Sequence, residues 1–348
     1  MRRISAPRVE LDYMNAMACV LVVLIHVLSY GISNADIASW QGAGIFFVWR
    51  AIAFVVPAFL FTGAVKMALA LDDDKITVSG YLFYIAVRIR KIYLPYLLWA
   101  TIYYAAFMWI HYVKGTPEDF FKQLLLGTIS SQFYYVIIVM QFYLLLPLWS
   151  YVVKRISFPV AFGLSVFCMF FAQRFSAVLA LYDLSGRYMD RVFFTYLPYW
   201  ILGLYVGTHY DRFFKAAKAN RTSVLLMALV AVACTVLTYI QRLLGTYIYD
   251  MDHFKLISDM LSIFLLLWLA IFIKERGGQL GHWLGQMNRA SFFVYLSHCL
   301  FITLATHILS ADGISKISIH LAVRVLAGYT IPLLLFFALQ RAKRLWRM

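Results

Sequence analysis

The residues of this chain best suited to chemistry stand inside its apolar stretches. His26 lies deep in the first of them, Leu11–Gly31. A titratable side chain there costs free energy unless it faces a protein-lined cavity and finds a partner. An imidazole exchanges protons near neutral pH, with an ordinary pKa of about 6.5, so proton transfer is the chemistry it would serve. Asn15 precedes it by eleven residues, which is three helical turns or ~16 Å of rise, so the two share a face. Asp12 sits at the edge of the same stripe. A polar line of this kind should look into a cavity and not into lipid. The plainer alternative is that His26 bonds a neighbouring helix and only stabilises a bundle. His298, closing the segment Ser291-Phe292-Phe293-Val294-Tyr295-Leu296-Ser297-His298, is a second intramembrane imidazole. It either lines the same cavity as a second proton carrier or packs.

Two groups of cations come next. Arg88, Arg90 and Lys91 directly precede Ile92-Tyr93-Leu94-Pro95. Three positive charges at the cytoplasmic mouth of a span suit a phosphorylated ligand such as coenzyme A. Basic residues also flank inner helix ends merely to set topology. Farther along, Arg174, Asp183, Arg187, Asp190 and Arg191, with Tyr182 and Tyr188, fall in an extracytoplasmic loop. There, Arg187 and Arg191 offer fork donors to a sugar, or pair locally with the aspartates. Arg50, His307, His320 and Arg324 are expected near the outer interface, snorkelling. Cys19, Cys168, Cys234 and Cys299 all lie in apolar bands without metal or disulfide spacing, and are expected to pack. No metal site is expected. No GxSxG, Walker A, GxGxxG or HExxH pattern occurs, which leaves hydrolase, ATPase, dehydrogenase and zinc-protease readings without support.

The elements that must position these groups are membrane helices. Of the 348 residues 63% are hydrophobic and 14% charged, far more apolar surface than a soluble domain of this size buries. About ten bands approach the ~20 residues of a spanning helix: Leu11–Gly31, Gly42–Leu71, Ile92–Tyr112, Phe133–Val153, Ser157–Leu181, Val192–His209, Thr222–Leu244, Leu256–Ile273, Ala290–Leu309 and His320–Leu339. The sixth is short and carries Pro198 and Gly203, so nine spans is the competing count. The prediction is an all-α polytopic membrane protein, about ten transmembrane helices in a single bundle and a single integral domain over 1–348, with both termini cytoplasmic. The first band follows Arg2, Arg3 and Arg8 but lacks a cleavage pattern, so it is read as a span and not as a signal peptide. The net charge of +15 could suggest nucleic acid, but its placement argues for membrane topology. With the N-terminus inside, 21 of the 31 basic residues fall on the cytoplasmic side, leaving Arg50, Lys114, Lys122, Arg174, Arg187, Arg191, Arg242, Lys255, Lys316 and Arg324.

At this point the chain resembles a known family, the membrane acyltransferases of acyltransferase family 3. Leu11-Asp12-Tyr13-Met14-Asn15-Ala16-Met17-Ala18 leading to His26 is similar to the family's first-span pattern, in which an Arg precedes the His by eleven positions. Val56-Pro57-Ala58-Phe59-Leu60-Phe61-Thr62-Gly63 is similar to its second-span segment ending in Ser-Gly, and Arg88-Ile89-Arg90-Lys91-Ile92-Tyr93-Leu94-Pro95 to its RxxR-to-proline motif. Ser291 through His298 is similar to the late Tyr-Leu-x-His segment. Gln141-Phe142-Tyr143-Leu144-Leu145-Leu146-Pro147 resembles most the surface-polysaccharide, intercellular-adhesin branch. Asn15, Thr62 and Lys91 depart from the pattern. Lys91 keeps a charge without the bidentate fork, Thr62 keeps a hydroxyl, and Asn15 loses a cation.

The resemblance implies an O-acyltransferase of the bacterial inner (plasma) membrane. Acetyl-CoA or another acyl-CoA would be the donor, held by Arg88, Arg90, Lys91 and Asn15. A hydroxyl of an extracytoplasmic glycan, guided by Arg187 and Arg191, would be the acceptor. His26 would be the general base and His298 a second proton carrier. Membrane lipids, the glycan and glycan-assembly proteins are the expected partners, and nucleic acid is not. The alternative is an exporter of polysaccharide or lipid-linked sugar without acyl-transfer chemistry.

Overall fold

The computed structural model describes residues 8–71, 76–113, 115–181, 186–219, 221–246 and 254–345. Among these residues every regular element is helical. In chain order they are α1 (Val9–Asn34), α2 (Trp40–Ala51), α3 (Val55–Ala70), α4 (Val78–Arg88), α5 (Leu94–Trp109), α6 (Pro117–Leu126), α7 (Tyr134–Leu144), α8 (Leu146–Arg155), α9 (Phe158–Leu181), α10 (Leu197–Thr208), α11 (Tyr210–Ala219), α12 (Arg221–Leu243), α13 (Lys255–Arg276), α14 (Gly278–Ala311), α15 (Ile317–Val325) and α16 (Ile331–Leu345). Seven stretches among the described residues are long and apolar enough to cross a membrane, and α7 with α8 makes an eighth that bends by 61°. The chain is an all-α polytopic membrane protein. Each of the ten bands read from the sequence holds helix, but among the described residues seven or eight and not ten are long and apolar enough to span. Gly42–Leu71 divides into α2 and α3, Phe133–Val153 into α7 and α8, and two more bands hold only short helices. Ile92–Tyr112 holds α5, with 16 residues, and Val192–His209 holds α10, with 12.

Prolines shape these helices. A π turn, Ile89–Tyr93, joins α4 to α5 just ahead of Pro95, and a second, Leu326–Thr330, joins α15 to α16 just ahead of Pro332. A proline inside a helix lacks the N–H for its own bond, and its ring presses on the carbonyl four residues back. Those carbonyls belong to Lys91 and Gly328. The extra residue of a π turn absorbs the clash while the helix runs on. Pro147 instead starts α8 after the break at Leu145, and the Trp149 indole donates to Phe142 O across the bend at 2.7 Å.

Two compact units divide the chain, the first containing Leu60–Lys215 and the second Arg8–Phe59 with Ala216–Met348. In the first unit α10 presents Gly203 and Gly207 to the α3 segment Phe61–Ala68. A Cβ added at Gly203 would meet Phe61 O at 2.5 Å and Ala64 Cβ at 2.7 Å, and one at Gly207 would meet Ala68 Cβ at 2.6 Å. Small residues four apart allow this backbone approach, which is how membrane helices gain packing energy without a hydrophobic drive between them. An aromatic core flanks the contact, with Phe142 stacked on Trp200 at 4.3 Å.

In the second unit α1 packs along α14 and also touches α13, α15 and α2. Leu11, Met14, Ala18 and Val22, three or four residues apart, are buried on it, and four residues farther the same stripe reaches His26. Near its start Glu10, fully buried, accepts from Lys274 of α13 at 2.7 Å. The pair ties the beginning of α1 to the end of α13.

Candidate active site

His26 and His298 come together. Their ring centroids lie 5.1 Å apart and tilt by 51°, although the sequence separates them by most of the chain. His298 is fully buried and His26 half-buried. The local geometry sets the tautomer of His298. Its Nδ1 lies 2.9 Å from Val294 O, one turn earlier on α14, and a carbonyl only accepts, so Nδ1 carries the proton. Nε2 is left as an acceptor, and the Cys299 thiol, 3.3 Å away, donates to it. One donor atom each from His26, His298 and Cys299 falls within 4.8 Å of the others. By type this trio of two imidazoles and a thiol could serve proton transfer, nucleophilic attack or the grip of a soft metal ion.

Arg324 supports the same place from α15. Its Nη2 donates to His26 O at 2.5 Å and to Ser29 Oγ at 2.9 Å, and Nη1 donates to Thr306 Oγ1 at 2.9 Å. The guanidinium also lies 5.6 Å from the Tyr30 ring, which stacks on His320 at 3.9 Å. This corrects the expectation that Arg50, His320 and Arg324 snorkel. They are 2%, 0% and 7% exposed, because each finds a partner within the second unit: Ser258 Oγ for Arg50, Ile314 O for His320, and the His26 turn for Arg324. His307 is exposed. Sequence reasoning thus missed Arg324. The available signal was the charge itself, one turn after His320 within the last apolar band, where a cation is costly without a role.

Asn15 is half-buried on α1, three turns before His26 and on the same face. The remaining site residues belong to the first unit. Arg88 stands with its guanidinium carbon 4.7 Å from both the Tyr84 and the Tyr143 rings, a double cation–π seat worth about 0.5–2 kcal/mol per face. Arg90 and Lys91 are exposed on the π turn. Arg191 is engaged locally. Its Nε donates to Leu126 O at 3.0 Å, Nη1 pairs with Asp190, and the guanidinium lies 5.7 Å from the Tyr188 ring. Gln141 clamps the same turn, donating to Arg191 O at 2.7 Å and accepting from Phe193 N at 3.1 Å. That gives the Gln141–Pro147 motif a structural task. Arg187 sits in the short 3-10 helix Gly186–Arg191, and its side chain, like Tyr182 and Asp183, lies outside the described residues.

The acyltransferase domain of acyltransferase family 3 matches residues 8–341, which takes in both units, and the chain belongs to this family. Among curated proteins it is similar to the probable poly-beta-1,6-N-acetyl-D-glucosamine export protein of Staphylococcus aureus (strain MSSA476), 23% identical over 310 residues, covering 84% of this chain and 81% of the relative. The protein of the same name from Staphylococcus epidermidis is 22% identical over 308 residues, covering 84% and 80%. No solved structure matches the chain.

Proposed function

We propose that this protein is an acyl-CoA-dependent O-acyltransferase of the bacterial inner (plasma) membrane, carrying an acetyl or other short acyl group to a hydroxyl of an extracytoplasmic glycan. The pairing of His26 with His298 in a member of an acyltransferase family carries this reading, since acyl transfer to a hydroxyl needs a base where the alcohol attacks. His26 fills that role as a neutral imidazole, and proton transfer by a positioned base contributes ~10²–10⁴ in rate. Its place on α1 suits an acceptor from outside. It lies sixteen residues, ~24 Å of rise, beyond Glu10 and only eight residues, ~12 Å, before the end of the helix at Asn34. His298, whose Nε2 is the accepting nitrogen, is the second proton carrier. Arg88, Arg90 and Lys91 take the phosphates of the donor, Asn15 lines its path, and Arg187 and Arg191 meet the sugar. Holding donor and acceptor together in a site shielded from water supplies much of the remaining acceleration.

A second reading, export of polysaccharide or lipid-linked sugar without chemistry, is favoured by the name of the staphylococcal relatives as export proteins. Proteoliposomes given radiolabelled acetyl-CoA on the donor side and glycan as acceptor decide between the two. Label appearing on glycan supports acyl transfer, whereas glycan efflux without label transfers the assignment to the exporter.

A further inference from the structure

We infer that Cys299 is the acyl-carrying nucleophile of the reaction, forming a thioester on the enzyme before the acceptor is acylated. The inference rests on the acyl-transfer reading above and adds a covalent intermediate to it. The geometry is that of an activated thiol. An activated nucleophile is recognised by a base within hydrogen-bond reach, the base being oriented by a third group. Here Cys299 Sγ lies 3.3 Å from His298 Nε2, and Val294 O, 2.9 Å from Nδ1, holds the imidazole in the tautomer whose Nε2 can accept. Cys19 makes the contrast. Its thiol donates to Ser291 O at 3.4 Å, a carbonyl that can never take the proton away. Cys299 is buried and His26 is the half-buried member of the trio, whose donor atoms lie within 4.8 Å of one another. The second base is then already beside the acyl group.

The two half-reactions balance without a further reactant. In the first, the Cys299 sulfur attacks the acyl-CoA carbonyl and its proton passes to His298 Nε2. The carbon–sulfur bond to CoA breaks, and the proton is handed to the departing CoA sulfur. In the second, the acceptor hydroxyl oxygen attacks the acyl-Cys299 carbonyl while His26 takes the hydroxyl proton. The bond to Cys299 breaks, and the sulfur regains a proton. A thioester replaces a thioester in the first step, so little free energy is lost before the oxygen ester forms. The acyl group also no longer needs CoA and glycan to be bound at the same moment.

Full-length protein in proteoliposomes, with labelled acetyl-CoA and no acceptor, tests this directly. Expected are label retained on denatured protein and released by neutral hydroxylamine, a mass increment of one acetyl group on the peptide carrying Cys299, and exchange of label between acetyl-CoA and free CoA. Cys299→Ala should lose all three and at least ~10² in transfer rate, the low end for a positioned catalytic group. Cys299→Ser, nearly the same size, should either lose them or hold an ester that resists hydroxylamine. His26→Ala should accumulate labelled enzyme, since only the second half needs that base. Wild-type transfer to glycan without label or exchange, or full transfer by folded Cys299→Ala, overturns the inference and leaves the acyltransferase assignment standing. Absence of both transfer and exchange in the wild type overturns the two together.

Discussion

At the residue scale, a base acts only if its ring is held where the alcohol arrives. His26 shares its turn with Ser29, whose hydroxyl donates to His26 O at 2.6 Å, and with the Arg324 fork. Replacing His26 with Ala should lower transfer by ~10²–10⁴ while the protein still inserts and purifies as a folded species. Normal turnover from that variant would remove His26 from the mechanism. Arg324 touches the backbone of the base and not its ring, so it is a positioning residue. Arg324→Met takes one donor each from His26 O, Ser29 Oγ and Thr306 Oγ1, which keep the bonds Ser29 Oγ to His26 O and Thr306 Oγ1 to Ile302 O, at a cost of about 0.5–1.5 kcal/mol per bond lost. The expected outcome is a lower kcat with the KM for the donor held, measured beside a melting curve. A variant that melts earlier but keeps kcat would reduce Arg324 to a stabilising contact.

At the scale of elements, the helices are set by where small residues and prolines fall. Gly203 and Gly207 let α10 press against α3, and no side chain fits between them. Gly203→Leu should therefore cut the yield of folded detergent-solubilised protein sharply, since overpacking costs about 1–3 kcal/mol even where a core can adjust. Gly163 on α9 provides the control. A Cβ there meets nothing within 4 Å, so Gly163→Leu should leave yield and melting unchanged. Equal behaviour of the two variants would contradict the close helix contact. The π turn ahead of Pro95 matters in a different way, since it is the segment that carries Arg90 and Lys91 outward while Arg88 stays between two tyrosines.

Across the whole molecule the proposed tasks divide by unit. The trio His26, His298 and Cys299, proposed to handle protons, belongs to the second unit, and the cations assigned to the donor belong to the first. The family match over residues 8–341 spans both. Kinetics should reflect that division. Arg88→Ala removes the proposed phosphate partner and should raise the KM for acyl-CoA with kcat nearly kept, because binding lost equally from ground and transition states changes KM alone. His26→Ala should lower kcat without raising that KM. An Arg88→Ala enzyme with an unchanged KM would move the donor site away from the π turn.

The class of the protein was legible without coordinates. Apolar bands and the one-sided placement of Lys and Arg suffice to define a polytopic membrane chain, because the bilayer reads only length, hydropathy and charge. His26 was legible too, because an imidazole in such a band is costly wherever it ends up. Periodicity is local, however, and cannot bring together residues on helices far apart in the chain. The meeting of α1 with α14, which sets His26 beside His298 and Cys299, was decided by tertiary packing. So was the burial of Arg324, since whether a cation reaches water or a carbonyl depends on which helix lies beside it.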